Sequence, residues 1–301
     1  VALKSKLATV NVNPTIAFRL NQNLSIGIGF SAQYLEAELS NAIDFGLIAR
    51  ATAAGVSQQI GQDISPLLPA TVVPNNADGF VRVEGDDIGY GFNIGLLYEV
   101  NEDTRFGLHY RSKIDSTLDG DAFFRVPDEV IIPVPGTNRN LLDFAGNFES
   151  QPATAGISLP ETVSASAYHE VSDAWAVMAD ITWTRWSRFE TLKIDFSNPA
   201  TPDTVIPELW DDNLRYSAGA TYTMSDKLKL RGGIAYDESP VPNSRYRSPR
   251  IPDEDRLWLA VGFTYTLDDH FDLYGGYVHI FVDDPIVDND THTAGQHLIG
   301  T

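Results

Sequence analysis

The chain of 301 residues carries 41 acidic and 21 basic residues, a net charge of −20, and 43% of its residues are hydrophobic. This is enough apolar material for one large folded domain, while the acidic surface would repel a phosphate backbone, so nucleic-acid binding is not expected. The absence of cysteine excludes disulfides and thiolate chemistry, and the absence of a run of about 18 apolar residues excludes a membrane-spanning helix.

Alternation with period two, which places one set of side chains on each face of a strand, is the main pattern along the chain. In 24–39 the even positions are apolar as far as Tyr34, and the odd positions are small or polar. The pattern returns in 88–100 and 214–224 with apolar residues at even positions, and in 257–267 with apolar residues at odd positions. We predict that these are membrane strands whose apolar faces point outward to lipid.

Six further segments bring the number of predicted strands to ten: 6–20, 105–118, 162–171, 175–195, 228–237 and 271–282. The connections between strands alternate in length. The short ones are 21–23, 101–103, 172–173, 225–227 and 268–270, and the long ones are about 41–81, 119–160, 198–211 and 239–253, with 283–301 at the end. Because antiparallel strands send every second connection to the same rim, all the long loops lie on one side.

This layout is typical of a bacterial outer-membrane β-barrel, which has short periplasmic turns and long extracellular loops. Aromatic residues collect near the short turns, as expected of an interfacial girdle. They are Phe18, Tyr98, Phe106, Trp175, Tyr222, Tyr265 and Phe271. We therefore predict a single all-β domain over 1–301, a transmembrane antiparallel barrel in the outer membrane of a Gram-negative bacterium.

Three stretches, at 13–39, 159–193 and 239–265, resemble the FadL/TodX family of outer-membrane transporters of long-chain fatty acids and other hydrophobic compounds. The most specific part is SPVP (239–242) followed by PDEDRLW (252–258). The resemblance implies a fourteen-stranded barrel plugged by an N-terminal hatch. An open sheet of ten strands would expose unpaired edges to lipid, and the first residue is not methionine, so we expect an internal piece of a longer protein.

The resemblance also implies that two extracellular loops form an apolar groove that captures substrate, and the matching loops are 41–81 and 119–160. Both are unusually apolar, and an exposed apolar patch marks a binding surface. The spacing of Ile43, Leu47 and Ile48 suits a short amphipathic helix. The candidate capture residues are Phe45, Leu47, Ile48, Leu67, Phe123, Phe124, Ile132 and Leu142. The alternative is that these residues only pack the two loops together as a cap.

A fatty acid carries a carboxylate, whose burial without a partner is costly, so we expect a cation in the lumen. The family's fatty acid members use an arginine and a lysine at positions that correspond here to Asn41 and, loosely, Ile206. Both are uncharged, so we select Arg111 and Lys113, two residues apart on one predicted inward face. Further inward bases, and acids with which these bases could pair instead, are His109, Arg215, Glu99 and Asp180.

The proline-rich connection 239–253 is predicted to be a structural lid over the barrel mouth, because prolines fix the backbone and bases alternate with acids. These charged residues are Arg245, Arg247, Arg250, Arg256, Asp237, Glu238, Asp253, Glu254 and Asp255. Steering of substrate by the arginines is the alternative.

No metal or other cofactor is predicted. DNDTH (288–292) lacks the glycine and closing glutamate of an EF-hand loop, and His292 and His297 have no third ligand in view. GYGFNIG (89–95) lies within a strand and is followed by no helix, so it is not a phosphate-binding loop.

The predicted function is passive uptake of long-chain fatty acids or related hydrophobic compounds by a monomer whose partners are these small molecules and outer-membrane lipid. A transporter of neutral aromatic or aliphatic hydrocarbons and a general porin stay open as alternatives. An enzyme is not expected, although a membrane-embedded hydrolase is a third class that an ester-cleavage assay would test.

Overall fold

A computed structural model describes residues 2–146, 148–199 and 201–288, which form one antiparallel sheet of fifteen strand segments. The segments are β1 (Ala2–Val12), β2 (Thr15–Arg19), β3 (Leu24–Asp44), β4 (Asp78–Glu99), β5 (Thr104–Arg111), β6 (Ile114–Arg125), β7 (Gln151–Leu159), β8 (Thr162–Ser172), β9 (Trp175–Thr184), β10 (Thr191–Phe196), β11 (Thr204–Pro207), β12 (Asn213–Ser225), β13 (Leu228–Asp237), β14 (Arg256–Asp268) and β15 (Phe271–Val282). One α-helix, α1 (Phe45–Ile60), and four 3-10 helices occupy the connections: Ser65–Leu67, Asp128–Val130, Leu141–Phe144 and Trp186–Arg188.

The ten predicted strands are all present, and three of them are interrupted once. The first is divided into β1 and β2 at Asn13 and Pro14, where proline has no N–H to donate to the ladder. Breaks at 112–113 and 185–190 divide two others into β5 and β6, and into β9 and β10. β7, which lies in the connection predicted over 119–160, is separated from β8 at 160–161. β11 is an additional short strand within the connection predicted over 198–211.

The sheet has two parts that share its longest strands. Near the short turns, β2 and β3 are followed in order by β4, β5, β8, β9, β12, β13, β14 and β15. Near the long loops, β1 and β3 are followed by β4, β6, β7, β10 and β11. We call these two parts the lower wall and the upper wall. The lower wall includes β3 up to Tyr34 and β4 from Ile88.

The lower wall has an apolar face and a face of small and polar residues. Directly opposed residues share a face, and one row crosses eight strands through Ile26, Leu96, Leu108, Ala165, Ile181, Tyr216, Tyr236 and Leu257. The other face lines a trough of about 850 Å³ whose lining includes Ser164, Asp180, Arg215 and Gly262. The register predicted for the four strands is therefore confirmed, with Ile26 and Tyr216 on the side away from the trough.

The upper wall keeps this register but has the opposite polarity. On β3 the outward positions become Glu36 and Glu38, and the inward positions become Leu35 and Leu39. The outward glutamates are bridged by lysines of β1, with Nζ–O distances of 2.6 Å for both Lys4–Glu38 and Lys6–Glu36. The outer surface of the upper wall is thus suited to water and its inner surface to apolar contact.

The helix α1 lies above this inner surface. It begins where the Asp44 carboxylate accepts a hydrogen bond from the Leu47 N–H at 2.8 Å, and it ends at Gly61, whose φ of 69° is in the left-handed region. The helix predicted from the spacing of Ile43, Leu47 and Ile48 is therefore confirmed for Leu47 and Ile48, whereas Ile43 belongs to β3. None of the helices in the described ranges is long and apolar enough to cross a membrane.

Candidate functional site

The two long apolar loops share one hydrophobic core, which covers the top of the upper wall. Phe45 and Ile48 of α1 are only 0% and 4% exposed, and Ile132 and Leu142 of the second loop are buried in the same cluster. The Phe45 ring meets the Phe148 ring edge to face at a centroid distance of 5.0 Å. These four candidate capture residues hold the two loops together, as the alternative interpretation proposed, and we call this assembly the loop cap.

The loop cap also presents apolar side chains to its surroundings. Of the candidate capture residues, Leu47 is 41% exposed and Leu67 is 46% exposed. Ile131, which the sequence analysis did not select, is exposed as well. Its neighbour Ile132 is buried, so the alternation of the loop residues would have identified it. Together with Ile60 at the end of α1, these leucine and isoleucine side chains form an exposed apolar surface of the loop cap.

The adjacent candidates Phe123 and Phe124 lie on opposite faces of β6. Phe123 is opposite Arg82, whose guanidinium carbon lies 4.9 Å from the ring centroid on the outer face of the upper wall. Phe124 points inward and packs near Phe148 and Phe196, with centroid distances of 6.1 and 6.4 Å. Only Phe124 therefore belongs to the inner surface, since neighbouring residues of a strand alternate between faces.

Below the loop cap, the inner surface of the upper wall is almost continuously apolar. Leu39 is opposite Val83, which is opposite Ala122. Four residues before Ala122 on the same face of β6, Leu118 is opposite Ala155. A narrow cleft runs along this surface between Leu39, Val83, Leu118, Ile157, Leu192 and Ile194. This surface could not be recognised from the sequence, because part of it lies in segments predicted to be loops.

Arg111 and Lys113 do not share a face, so the predicted pairing of these two bases is wrong. Arg111 is opposite Asn93 and faces the trough, whereas the pairing of β6 with β4 is shifted by one residue relative to that of β5. The shift at 112–113 moves Lys113 to the outer face, where its Nζ lies 2.6 Å from a carboxylate oxygen of Asp115. A shift of one residue exchanges the faces of all the side chains that follow.

Glycines of β4 make room for this shift. A Cβ atom on Gly89 would lie 2.5 Å from Cγ2 of Ile114, and one on Gly91 would lie 2.8 Å from Cγ1 of the same residue. The GYGFNIG segment therefore supplies space for the first inward side chain of β6, and it lies entirely within β4 as predicted.

The other bases on the lower wall are partly matched by acids. The Arg19 guanidinium lies 2.8 Å from Glu99, and Arg215 lies 4.0 Å from Asp180. In the described part of the chain, no carboxylate lies within 4 Å of Arg111. Of the two arginines in the candidate set, Arg111 is thus the one without a carboxylate partner among the described residues, and His109, on the same face of β5, has none within 4 Å among them either.

The lid at 239–253 contains the predicted ion pairs. Arg247 lies 2.8 Å from Glu254 and donates to the main-chain oxygen of Asp253 at 2.9 Å. Arg256 pairs with Asp253 and, at 3.4 Å, with Asp237. The predicted ion pairs are therefore present for Arg247 and Arg256, and the role of this segment as a lid stays a prediction. Among the described residues, no group of three potential ligands could hold a metal ion, while 289–301, with His292 and His297, lies outside them.

Relatives of known name cover most of this chain. It is 34% identical over 268 residues to the long-chain fatty acid transport protein of Escherichia coli O6:H1, and the aligned region covers 85% of this chain and 55% of that protein. It is 28% identical over 288 residues to outer membrane protein P1 of Haemophilus influenzae, spanning 92% of this chain and 56% of that protein. The chain thus spans about half the length of the curated relatives it matches.

Solved structures share the fold. A FadL homologue of Pseudomonas aeruginosa superposes with a TM-score of 0.74 at 25% identity, over 94% of this chain and 61% of that one. The CymD monoaromatic hydrocarbon channel superposes with a TM-score of 0.62 at 23% identity, over 93% and 70%. The family model described as outer membrane protein transport protein (OMPP1/FadL/TodX) matches residues 1–301. The chain therefore belongs to the OMPP1/FadL/TodX family of outer-membrane transport proteins.

Proposed function

We propose that the protein takes up long-chain fatty acids or related hydrophobic compounds across the outer membrane by passive diffusion. The observation that carries this proposal is the inversion of polarity between the two walls. The upper wall has an apolar inner surface, which includes Leu39, Val83 and Leu118, and a charged outer surface. The outer surface becomes apolar only in the lower wall. Each methylene that leaves water for such a surface contributes about 0.8 kcal/mol, so entry requires no energy source.

The exposed side chains of the loop cap, Leu47, Leu67 and Ile131, would make the first contact with the compound. It would then follow the apolar inner surface down to the trough. A transporter of this kind has to bind its substrate weakly at several successive places, because one tight site would hold the compound in the wall. The half-exposed leucines and the narrow cleft suit that requirement.

The names of similar proteins support this substrate class but cover two kinds of compound. The E. coli relative is named for long-chain fatty acids, and CymD is named for monoaromatic hydrocarbons. For the ionised class, Arg111 would meet the carboxylate inside the trough, where a charge-assisted hydrogen bond contributes about 1.5–3 kcal/mol. The uncharged Asn41 and Ile206 favour the neutral hydrocarbons as the second candidate.

Uptake by living cells tests the proposal. The full-length protein would be expressed in a bacterium that lacks its own outer-membrane fatty acid transporter, and entry of radiolabelled oleate and toluene would be followed at low concentration. We expect oleate to enter several times faster than in cells with empty vector. Arg111→Gln should slow oleate but not toluene.

The same preparations separate the alternatives. Purified protein in a planar bilayer should give little ion conductance, whereas a large open-channel conductance with no gain in oleate or toluene entry would identify a general porin and overturn the proposal. Faster entry of toluene alone would establish the hydrocarbon alternative. Cleavage of a chromogenic ester would point to a hydrolase.

A further inference from the structure

One arginine of the lid differs from the others in its partners. Arg250 lies in the segment between β13 and β14, and its guanidinium contacts β1, where Nη1 donates to the Ser5 hydroxyl at 2.9 Å and to the Lys4 carbonyl at 3.3 Å. Its Nη2 donates to the side-chain oxygen of Asn41 at 2.5 Å. Ser5 and Asn41 belong to β1 and β3, and both lie on the inner face.

These partners are all neutral. Whereas Arg247 and Arg256 are paired with carboxylates, no carboxylate of the described residues lies within 4 Å of Arg250. The side chain is half-buried, and although burial lowers the pKa of its guanidinium, arginine keeps its charge in proteins. A half-buried cation with neutral partners is incompletely compensated, and an anion bound there would compensate it.

A buried acid interacts electrostatically with this cation. Glu208, which follows β11, is only 4% exposed and accepts a hydrogen bond from Nε1 of Trp210 at 3.2 Å. The Trp210 ring packs edge to face against Trp186 and Phe189, with both centroid distances at 5.0 Å. Burial raises the pKa of Glu208 to about 7, and the charge of Arg250 opposes that rise. Near neutral pH this acid is therefore partly protonated and does not fully neutralise the arginine.

We propose that Arg250 is the binding residue for the carboxylate headgroup of a long-chain monocarboxylate at the barrel mouth. The free edge of the guanidinium would receive the headgroup. The apolar tail would lie along Leu39 and its directly opposed partner Val83, at the next inward position of the ladder after Asn41. The inference rests on the proposed uptake function and specifies its ionised substrate class. It also places a positive charge beside the uncharged Asn41.

Binding of two ligands with the same tail tests this assignment. The full-length protein would be reconstituted in lipid nanodiscs, and binding of dodecanoate and of dodecan-1-ol would be measured by titration calorimetry at pH 7. Arg250→Gln, which can keep the hydrogen bonds to Ser5 and Asn41 but removes the charge, should weaken dodecanoate binding about tenfold and change dodecan-1-ol binding less than twofold. Arg250→Lys should restore most of the affinity for dodecanoate.

Two further variants separate charge from structure. Ser5→Ala removes a hydrogen bond of the lid without changing its charge and should leave both affinities unchanged. Arg111→Gln removes the cation deeper in the trough and should affect dodecanoate binding less than Arg250→Gln does. Migration of unheated samples on gels would show that each variant is folded.

The possible results are distinct. Equal losses for both ligands in Arg250→Gln would make Arg250 a structural strap and overturn the inference, as would unchanged dodecanoate binding. In both cases binding of the wild type would leave the uptake function standing. If the folded wild type binds neither ligand, the headgroup assignment fails together with the proposed function.

Discussion

The lower and upper walls are made of the same strands with the same alternation, yet they have opposite polarity. On β3, Ile28 and Phe30 are the outward residues below and Glu36 and Glu38 the outward residues above. The inward residues change from glycine and serine to leucine over the same distance. The comparison shows that alternation determines which side chains share a face, while the medium on each side, lipid or water, determines whether that face is apolar or polar.

The physical reason is that both environments change at one level. Below it, lipid surrounds the wall and polar groups occupy the inside, whereas above it water surrounds the wall and apolar groups occupy the inside. The change occurs next to Tyr34 on β3, near Ile88 on β4, and at the break between β5 and β6. We infer that these residues lie at the outer boundary of the membrane.

The largest expected effect concerns what stabilises the upper region. Phe45→Ala should destabilise the loop cap by about 3–5 kcal/mol, because it leaves a cavity in a fully buried cluster. Hydrogen exchange should show faster exchange in α1 and around Leu141–Phe144, with the lower wall unchanged. Leu47→Ala, at an exposed position of the same helix, should change stability by less than about 0.5 kcal/mol. Equal protection in wild type and Phe45→Ala would contradict the shared core.

A lysine placed on the outer face tests the boundary directly. Ile28→Lys puts a charge against lipid in the lower wall and should cost about 2–4 kcal/mol. Thr117→Lys puts the same charge on the outer face of the upper wall and should cost almost nothing. Urea unfolding in lipid vesicles measures both. Similar losses in the two variants would show that the membrane boundary lies higher than Tyr34.

The ionisation of Glu208 predicts a pH dependence of carboxylate binding at Arg250. The pKa of Glu208 is raised to about 7, so the acid is mainly neutral at pH 6 and mainly ionised at pH 8. The charge of Arg250 on the lid lowers this pKa. The neighbouring segment contributes the main-chain oxygen of Glu190, which accepts a hydrogen bond from the Glu208 N–H at 2.9 Å.

Ionised Glu208 would compete with a bound carboxylate for Arg250. Dodecanoate, which is ionised throughout this range, should therefore bind several-fold more weakly at pH 8 than at pH 6, and dodecan-1-ol should bind equally at both. Glu208→Gln should keep the stronger binding at both pH values. A pH dependence that persists in this variant would exclude Glu208 as its cause.

The smallest effect is expected at the surface of the loop cap. The double variant Leu47→Ser and Leu67→Ser should slow uptake about two- to fivefold at low substrate concentration, since each leucine contributes only part of its surface to contact. Val205→Ser changes an exposed residue on the outer face of the upper wall and should leave uptake unchanged. Equal uptake rates in the wild type, the double variant and Val205→Ser would show that these leucines only pack within the loop cap.

Much of the fold could be predicted from the sequence because a strand repeats every two residues. The register of Ile26, Phe92 and Tyr216 follows directly from that period. The ends of the strands could not be predicted in the same way, because the inversion of polarity removes the apolar-outside pattern above Tyr34. The segments 119–125 and 151–159 were assigned to loops for this reason, although they belong to β6 and β7.

The site was less predictable because its residues depend on small shifts and distant contacts. A shift of one residue between β5 and β6 separates Lys113 from Arg111, and no local pattern signals it. The burial of Phe45 and the exposure of Leu47 depend on how the two loops pack, since both residues are apolar neighbours on one helix.

The sequence by itself determined that the chain is a set of amphipathic antiparallel strands with tight turns at one end and apolar loops at the other, because these features are local. Only the tertiary structure decided which charges are compensated. Arg250 and Asn41 are 209 residues apart in the chain and joined by a hydrogen bond, and Glu208 approaches the same arginine from a third segment. Electrostatic interactions depend on distance in space, and the path of the lid back to β1 and β3 determines that distance.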